Sequence, residues 1–452
     1  MKRVLLVVPD GVGLRNYIYS DFIKKCKVKG LNVYLMSKNR VSQTDIDVID
    51  YKLNVTSIGD LLKSILIRAE LVYFSKYFND ITYLSYIKSN TSKRFKVRVK
   101  TKIVHVFGNF LSSKVGILVL RRSLRFAESK SSCFKENLNL LAKLNIDKIV
   151  CSSQRSGETI SIIEAGKSMG IPTYTNIYSW DNPPKAMLIN SPDYIFVWSQ
   201  YMKNELLKHY PNLSKSSLLV TGTPQFEYTL EKPNFDILNK KYGFSYNPTT
   251  KYICFSGDDI TTSPYDQLYL NDLAELVRDI NRNEDTREVK IIFRRCPVDF
   301  SDRYNEVLDK FNEEIIVFNP VWANVGSNWN SVIPMELDNE ILNAITSICS
   351  LVVNVGSTMA FDFALKNKPA AYINYNPKNI DLDLWRIEKI YKYIHFRSMP
   401  NKDCINWVNS KNDFYELIEN TDSLNLSNKW LKVINENILA TNKIIDYIDT
   451  NQ

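Results

Sequence analysis

The stretch LVVNVGSTMAFDFAL, residues 351–365, changes its pattern at the central glycine. The apolar run at its start has the length of a buried strand, and the second part has the spacing of a helix. Gly356 allows a tight turn between the two, and Ser357 or Thr358 is suited to cap the helix. A strand, a short turn and a helix form the repeating unit of α/β proteins, so the stretch predicts a parallel sheet covered by helices.

The turn also has the chemistry of an anion site. Backbone N–H groups at the start of a helix, together with the helix dipole, favour negative charge. The hydroxyls of Ser357 and Thr358 can add hydrogen bonds, Gly356 permits close approach, and Asn354 ends the strand. We therefore interpret these four residues as a diphosphate-binding group, with an ordinary strand-turn-helix junction as the alternative.

The same alternation extends along the chain on both sides of this stretch. Strands are predicted at residues 4–8, 32–36, 102–106, 148–151, 173–177, 194–197, 218–221, 252–256, 290–293, 315–318, 351–355 and 369–373. Helices are predicted at residues 17–29, 133–144, 157–169, 200–210, 235–241, 267–281, 301–312, 339–347, 358–367 and 426–448. The pattern predicts two Rossmann-like α/β domains that face a cleft.

The domain boundaries follow from a weaker pattern in the middle of the chain. A chain of 452 residues is too long for one hydrophobic core. Residues 226–250 are polar and interrupted by proline, which is typical of a linker. We predict an N-terminal domain at 1–225, a C-terminal domain at 251–425, and a final helical segment at 426–452 that packs back on the first domain.

Composition excludes several classes of protein. The chain is 44% hydrophobic and 24% charged, as in ordinary globular proteins. Its seven cysteines are single and its three histidines dispersed, so we expect no disulfide and no metal site. The apolar run 4–8 is too short for a signal peptide, and no segment has the length of a membrane span. These features predict a cytoplasmic protein.

Charge is concentrated in the first domain. Residues 1–130 contain 25 Lys and Arg against 9 Asp and Glu. The densest stretch runs from Lys88 and Lys93 to Lys102, and Arg121, Arg122 and Arg125 follow. A solvated surface with a β-hairpin edge explains this pattern, and so does peripheral contact with an anionic membrane or a phosphorylated acceptor. Without a zinc finger, homeodomain or RNP signature, nucleic acid is not an expected partner.

Four motifs together resemble one family of enzymes. They are the GST turn with Lys368-Pro369, SWDNPPK at 179–185, PDYIFVW at 192–198 and VTGTPQ at 220–225. In this order they resemble the GT-B glycosyltransferases of bacterial surface-polysaccharide biosynthesis, and also the similar nucleotide-sugar 2-epimerases. The resemblance implies a nucleotide-sugar substrate, a glycan or lipid-linked acceptor, and no cofactor. An epimerase or a glycerol-phosphate-type transferase of the same fold is the alternative.

Candidate residues in the first domain follow predicted strands. Asp10 is at the tip of the first strand and is one candidate for the catalytic base, and His105 at the end of the 102–106 strand is the other. Arg15 and Asn16, at the start of the helix after the first strand, are candidates for contact with the acceptor. Ligand-contacting candidates that follow other strands are Gln154, Arg155, Ser179, Trp180, Asp181, Asn182 and Lys185. The 179–185 loop offers an aromatic face, a carboxylate, an amide and an ammonium group, which together suit a sugar. Structural roles are the alternative for each.

The second domain offers three further donor-binding candidates. Gly257 follows a strand and permits close approach, and Asp258 can bind a ribose or sugar hydroxyl. Arg294 ends the next strand and can bind phosphate; Cys296 stands where the family has a histidine, which puts acid or base chemistry there in doubt. The pair Asp258-Asp259 can hold a metal in principle, but a basic site can replace one, so we expect none.

Overall fold

The computed structural model describes residues 1–38, 46–50, 53–87, 94–283, 287–324 and 332–450. The chain forms two compact units. The first comprises Met1–Pro224, Tyr393–Ser398 and Ile434–Gln452, and the second comprises Gln225–Lys392 and Met399–Val433. The chain thus returns to the first unit twice, and the predicted linker residues 226–250 lie within the second.

The first unit contains a seven-stranded parallel sheet. Its strands are β1 Lys2–Val8, β2 Leu31–Ser37, β3 Asp47–Val48, β4 Lys148–Cys151, β5 Thr173–Asn176, β6 Tyr194–Val197 and β7 Leu218–Val220. They are arranged in the order β3-β2-β1-β4-β5-β6-β7, and every adjacent pair is parallel. The central strands are buried because helices cover both faces, which explains their continuous apolar sequences.

The helices of this unit include three long ones, at residues 57–77, 95–110 and 114–129, that the sequence did not predict. Its helices before residue 210 are α1 Gly11–Gly13, α2 Phe22–Val28, α3 Ser57–Tyr77, α4 Phe95–Phe110, α5 Lys114–Ser129, α6 Ser132–Leu144, α7 Ile160–Ser168 and α8 Gln200–His209, with a π-helix at Leu14–Ile18. The predicted strand at 102–106 is wrong, because these residues lie within α4. The β-hairpin expected for the basic stretch is also wrong for residues 95–102, because they lie within α4. Lys88 and Lys93 lie outside the described residues.

The second unit contains a six-stranded parallel sheet and a small hairpin. The sheet strands are β8 Lys251–Ser256, β9 Val289–Arg294, β10 Ile315–Val317, β13 Leu351–Asn354, β14 Ala370–Ile373 and β15 Asn406–Val408, and the hairpin strands are β11 Trp322–Asn324 and β12 Val332–Pro334. The order is β10-β9-β8-β13-β14-β15. The helices that follow α8 in the chain are α9 Asp236–Tyr242, α10 Asp266–Asn281, α11 Asn305–Lys310, α12 Leu337–Ile348, α13 Met359–Leu365, α14 Asp413–Glu419, α15 Asn428–Ile434 and α16 Ala440–Asp449.

The last helix belongs to the first unit. In α16, Ile444, Ile445 and Ile448 are buried, and the helix packs against α2. Lys2 at the start of β1 binds Asp449 at its end. Across the described ranges, no helix combines the length and apolar character needed to cross a bilayer.

Gly222 fixes the returning chain beside the end of β7. Its φ of +84° is unfavourable for other residues, and a Cβ there would overlap the carbonyl oxygen of Asn437. The Asn437 side chain donates from Nδ2 to the Thr221 carbonyl at 3.1 Å. The backbone of the C-terminal segment therefore packs directly on this glycine.

We expect Gly222→Ala to lower the free energy of unfolding by more than about 2 kcal/mol, since backbone strain and a steric clash add together. Gly243→Ala is the control, because Gly243 has a φ of +66° but nothing lies within 4 Å of the added Cβ. That control should lose only about 1 kcal/mol. Urea unfolding followed by circular dichroism checks both values, and equal losses would contradict the packing argument.

Candidate functional site

Each sheet has one point where the strand order reverses. In the first sheet β1 lies between β2 and β4, and in the second β8 lies between β9 and β13. Helices leave the two strands of such a pair toward opposite faces, so a crevice opens beyond their carboxyl ends. Asp10 follows β1 and Gln154 follows β4, whereas Asp258 follows β8 and Gly356 follows β13. Four of the sequence-predicted residues thus lie at the two switch points, two in each unit.

The Gly-Ser-Thr turn of the second unit has the predicted shape. Gly356 has a φ of +76°, and Ser357 Oγ accepts a hydrogen bond from the N–H of Met359, the first residue of α13, at 3.3 Å. The Ser357 N–H donates to Asn354 Oδ1 at 2.8 Å. Gly356, Ser357 and Thr358 are half-buried. The turn is therefore held from both sides and stays partly accessible.

The turn differs from the expectation in one respect. The amides of Ser357 and Met359 already have partners, so they are not free donors for an anion. With only seven residues, α13 also offers a weak dipole. The Ser357 hydroxyl accepts one bond and keeps its own proton to donate. Among the described residues the buried Asn354 Nδ2 has no hydrogen-bond partner. Side chains, rather than the helix terminus, are the donors available here.

The presence of glycine at position 257 has a structural explanation that the sequence did not reveal. A Cβ at this position would lie 2.7 Å from the hydroxyl oxygen of Tyr304, so the glycine makes room for that buried ring. Packing against Tyr304, rather than close approach of a ligand, explains why glycine stands at this position. The neighbouring Asp258 is half-buried, and burial, together with Asp259 and Asp266, raises the pKa of its carboxyl well above the usual range. Asp258 therefore favours the protonated form, which can donate a hydrogen bond.

Arg294 is held inside the protein by an ion pair. Its Nη2 lies 2.8 and 2.9 Å from the two carboxylate oxygens of Asp338, and both residues are buried. Burial alone would raise the pKa of Asp338, but Arg294 and the indole N–H of Trp322 hold it below its usual value. Arg294 thus anchors α12 and the β11 strand, and its buried Nη1 has no partner among the described residues. The structure favours a supporting role over direct phosphate binding.

The crevice of the first unit contains Asp10 and Arg155. Asp10 Oδ1 accepts a hydrogen bond from the Gly13 N–H at 2.9 Å. Burial raises the pKa of Asp10, and the nearby Arg155 guanidinium opposes that shift. The Arg155 guanidinium stacks 3.7 Å from the ring centroid of Tyr178, and burial raises the pKa of this tyrosine to about 12. Half-buried Arg15 is also near this tyrosine. A buried carboxyl thus faces fixed positive charge.

Gln154 and Asn182 connect this crevice to the 179–185 loop. Gln154 Nε2 donates to Asn182 Oδ1 at 3.0 Å, and its Oε1 accepts from the Tyr178 N–H at 2.8 Å. Asn16 is buried and lies 3.4 Å, through its Oδ1, from Arg15 Nε. The three amides therefore position neighbouring side chains and have little freedom to contact a ligand.

Trp180 does not present a free aromatic face. Its side chain is buried, with its ring centroid 4.8 Å from that of His395 and 5.9 Å from that of Phe396. Both partners come from the returning segment Tyr393–Ser398. The expected stacking of this ring on a sugar is replaced by packing that fixes the 179–185 loop.

The polar side chains of this loop form a cluster with residues that the sequence analysis missed. Lys185 pairs with Asp181, which also accepts from Asn182 Nδ2 at 2.8 Å. Burial would raise the pKa of Asp181, but Lys185 and His395 hold it well below its usual range. Asp181 also accepts a hydrogen bond from the half-buried Ser179. Asp181 is therefore ionised.

His395 and Glu205 complete the cluster. Burial and the Lys185 charge lower the pKa of His395 to about 3, and its Nδ1 lies 3.3 Å from the hydroxyl oxygen of Tyr86. Burial raises the pKa of Glu205, on α8, to about 8, with a smaller contribution from Asp181. Neutral pH thus leaves the histidine neutral and the glutamic acid protonated. Sequence reasoning missed these residues because they lie far from the motif in the chain.

His105 lies apart from both crevices in the fold. It is exposed in the middle of α4, not at the end of a strand. The prediction that His105 ends a strand was wrong, because residues 102–106 are helical. Of the two candidate bases, only Asp10 lies at a switch point. Throughout the described part of the chain, no three His, Cys, Asp or Glu side chains are grouped as a metal site.

Two Rossmann-like α/β domains of this kind define the GT-B fold, and this chain has it. The structure is similar to that of a glycosyltransferase from Rickettsia africae, at 12% identity and a TM-score of 0.51, covering 100% of this chain and 99% of that one. It is also similar to UDP-GlcNAc 2-epimerases from Neisseria meningitidis, bound to UDP-GlcNAc, and Methanocaldococcus jannaschii, both at 12% identity, with TM-scores of 0.54 and 0.51. Each comparison covers 99% of both chains. No protein-family model and no curated protein sequence matches the chain.

The raised pKa of Glu205 predicts a pH-dependent stability. A glutamic acid whose pKa is higher in the folded state contributes its full stability below the unfolded value of about 4.5, and that contribution decreases as pH rises through about 8. Because glutamine does not titrate, the free energy of unfolding of Glu205→Gln should increase relative to wild type between pH 5 and pH 8.5.

Glu275→Gln is the matched control for this experiment. Lys411 lowers the pKa of Glu275 to about 2, so its contribution is constant above pH 5. Urea unfolding at several pH values measures both differences. A Glu205→Gln difference as flat as the control would show that Glu205 is ionised in the folded protein at neutral pH.

Proposed function

We propose that the chain is a glycosyltransferase that moves a sugar from a nucleotide-sugar donor to a glycan or lipid-linked acceptor of surface-polysaccharide biosynthesis. The supporting observation is that both sheets have polar side chains at their switch points, where ligands of α/β proteins bind. The reaction requires a donor site, an acceptor site and a base, and no metal. Its proposed location is the inner face of the cytoplasmic membrane.

The proposed donor site is the crevice of the second unit. The Ser357 hydroxyl donates to the diphosphate, and the positive φ of Gly356 turns the backbone so that Ser357 and Thr358 lie beyond the end of β13. Asp258, whose carboxyl has a raised pKa, lies on the other side of the switch point and is suited to a ribose or sugar hydroxyl. Tyr372 supports the turn by donating its hydroxyl proton to the Ser357 carbonyl at 3.0 Å.

The proposed acceptor site is the crevice of the first unit, with Asp10 as the base. Removing the proton from an acceptor hydroxyl needs a carboxylate with an elevated proton affinity, and burial supplies this at Asp10. Arg155, held over Tyr178, offers positive charge to an acidic acceptor. The ion pair of Asp181 and Lys185 offers both an acceptor and a donor of hydrogen bonds to sugar hydroxyls.

Epimerisation of a nucleotide sugar is the second candidate. Several of the similar solved structures are UDP-GlcNAc 2-epimerases. The cluster of Asp181, His395 and protonated Glu205 is an observation in its favour, because such groups can accept and return a proton. The two activities differ in one requirement, since transfer consumes an acceptor and epimerisation does not.

Ser357→Ala tests the donor site. We expect nucleoside diphosphate to bind about tenfold more weakly, because a hydrogen bond to a charged group is lost. Ser350→Ala is the control, since Ser350 lies at the other end of β13 and its Oγ donates to the Tyr252 carbonyl. Isothermal titration with a panel of nucleoside diphosphates measures both variants. Equal affinity in Ser357→Ala and wild type would place the diphosphate elsewhere.

Labelled nucleotide sugars distinguish the two activities. We expect release of nucleoside diphosphate only when a lipid-linked acceptor fraction is added, and a lowering of turnover by about 100-fold in Asp10→Asn with donor affinity retained. Asparagine keeps the Oδ1 acceptor for the Gly13 amide, so the fold should persist. A change of sugar configuration without acceptor would show epimerisation, and full activity of Asp10→Asn would exclude this residue as the base.

A further inference from the structure

Three helices of the first unit are held together by side-chain bonds that fix which faces point outward. Helix α4 is tied to α3 by Lys100 with Asp60 and by Arg68 Nε donating to Asn109 Oδ1 at 3.1 Å. Helix α5 is tied to α3 by the ion pair of Arg121 with buried Glu70. These contacts set the rotation of α4 and α5 about their axes. The outward faces are therefore defined by the fold.

The outward face of α4 is apolar. Phe95, Val99, Val106 and Phe110 are 80%, 39%, 62% and 82% exposed, and their spacing places them along one side of the helix. A helix on a globular protein normally turns this kind of stripe toward the core. Here the core contacts of α4 come from other residues, such as Ile103 and Val104.

The next helix extends the same pattern. Val115 and Phe126 of α5 are 72% and 64% exposed, with Leu118 and Val119 between them. Together the two helices contain nine exposed large apolar side chains, which we call the α4–α5 surface: Phe95, Val99, Val106, Phe107, Phe110, Val115, Leu118, Val119 and Phe126. On each helix, a row of exposed apolar side chains of this kind is typical of a binding surface.

The charges around these side chains have one sign. From Ile81 to Ala127 the sequence contains no Asp or Glu. The exposed polar positions on α4 and α5 include Arg94, Lys96, Arg98, Lys102, Lys114 and Arg122. Aromatic side chains beside Lys and Arg match the boundary of an anionic bilayer, where rings enter the acyl region and cations meet the headgroups. Charge complementarity thus identifies the occupant as an anionic lipid surface.

We propose that the α4–α5 surface docks on an anionic membrane, with the two helices lying along the lipid interface. The proposal deepens the proposed function, because docking brings the first unit to a lipid-linked acceptor. The docking itself needs neither nucleotide sugar nor acceptor. It also gives a physical role to the basic stretch.

Vesicle flotation tests the docking with the full chain and no substrate. We expect binding to vesicles that contain phosphatidylglycerol, much weaker binding to pure phosphatidylcholine, and a loss of binding as salt is raised. Phe95→Ser with Phe110→Ser should reduce the partition coefficient by roughly tenfold or more, because both rings lose their apolar contacts. Lys96→Glu with Arg98→Glu should reduce it by at least about fivefold for each position.

Two matched variants control for general effects. Leu382→Ser with Leu384→Ser removes exposed apolar side chains from the second unit, and Lys240→Glu with Lys241→Glu makes the same charge change on α9. Both should bind vesicles nearly as wild type. All substituted side chains are exposed, and thermal unfolding confirms that each variant is folded.

Three outcomes would overturn the proposal. Equal binding to neutral and anionic vesicles would exclude charge complementarity, and wild-type binding by the Phe95 and Phe110 variant would exclude this surface. Self-association in size-exclusion chromatography that this variant abolishes, without wild-type vesicle binding, would identify a second copy of the chain as the occupant. Failure of the transferase assay with vesicle binding intact would refute the proposed function and leave the docking surface standing.

Discussion

The constraint on which both units depend is the way parallel strands must be connected. Each crossover between parallel strands is right-handed and passes over one face of the sheet, so a sheet covered on both faces reverses its strand order once. The reversals fall between β1 and β4 and between β8 and β13. Asp10 and Arg155 in the first unit, and Asp258 and Ser357 in the second, lie at these points because they follow the strands on either side of each reversal.

The sequence predicted most of the strands because buried parallel strands are short, apolar and bounded by turn residues. It failed at α4 for a physical reason. The predicted strand KIVHV, residues 102–106, is short and rich in β-branched residues, which favours a strand. The helix forms instead because Ile103, Val104 and Gly108 pack on α3, where a Cβ at Gly108 would meet the Arg68 side chain. Tertiary packing overrode the local pattern.

The sequence predicted the backbone around the candidate residues better than the contacts of their side chains. It identified the strand ends, and the Gly356 turn has the predicted form. It misjudged residues whose partners are distant in the chain, such as Gly257 against Tyr304 and Arg294 with Asp338. The local sequence shows that a residue is of a type that can contact a ligand. It does not show that the residue already contacts a buried partner from a distant part of the chain. Trp180, packed on His395, is the same case.

The returning segments add a constraint on how the first unit assembles. Its cluster of ionisable groups joins Asp181 and Lys185 to His395, and Arg397 from the same segment binds Asp80. Residues 393–398 are synthesised only after most of the second unit, and α16 comes last. During synthesis the first sheet can form early because its strands all precede residue 221. Its 179–185 loop cannot reach its final electrostatic state until His395 arrives. Completion of the site in the first unit is therefore coupled through the covalent chain to synthesis of the second.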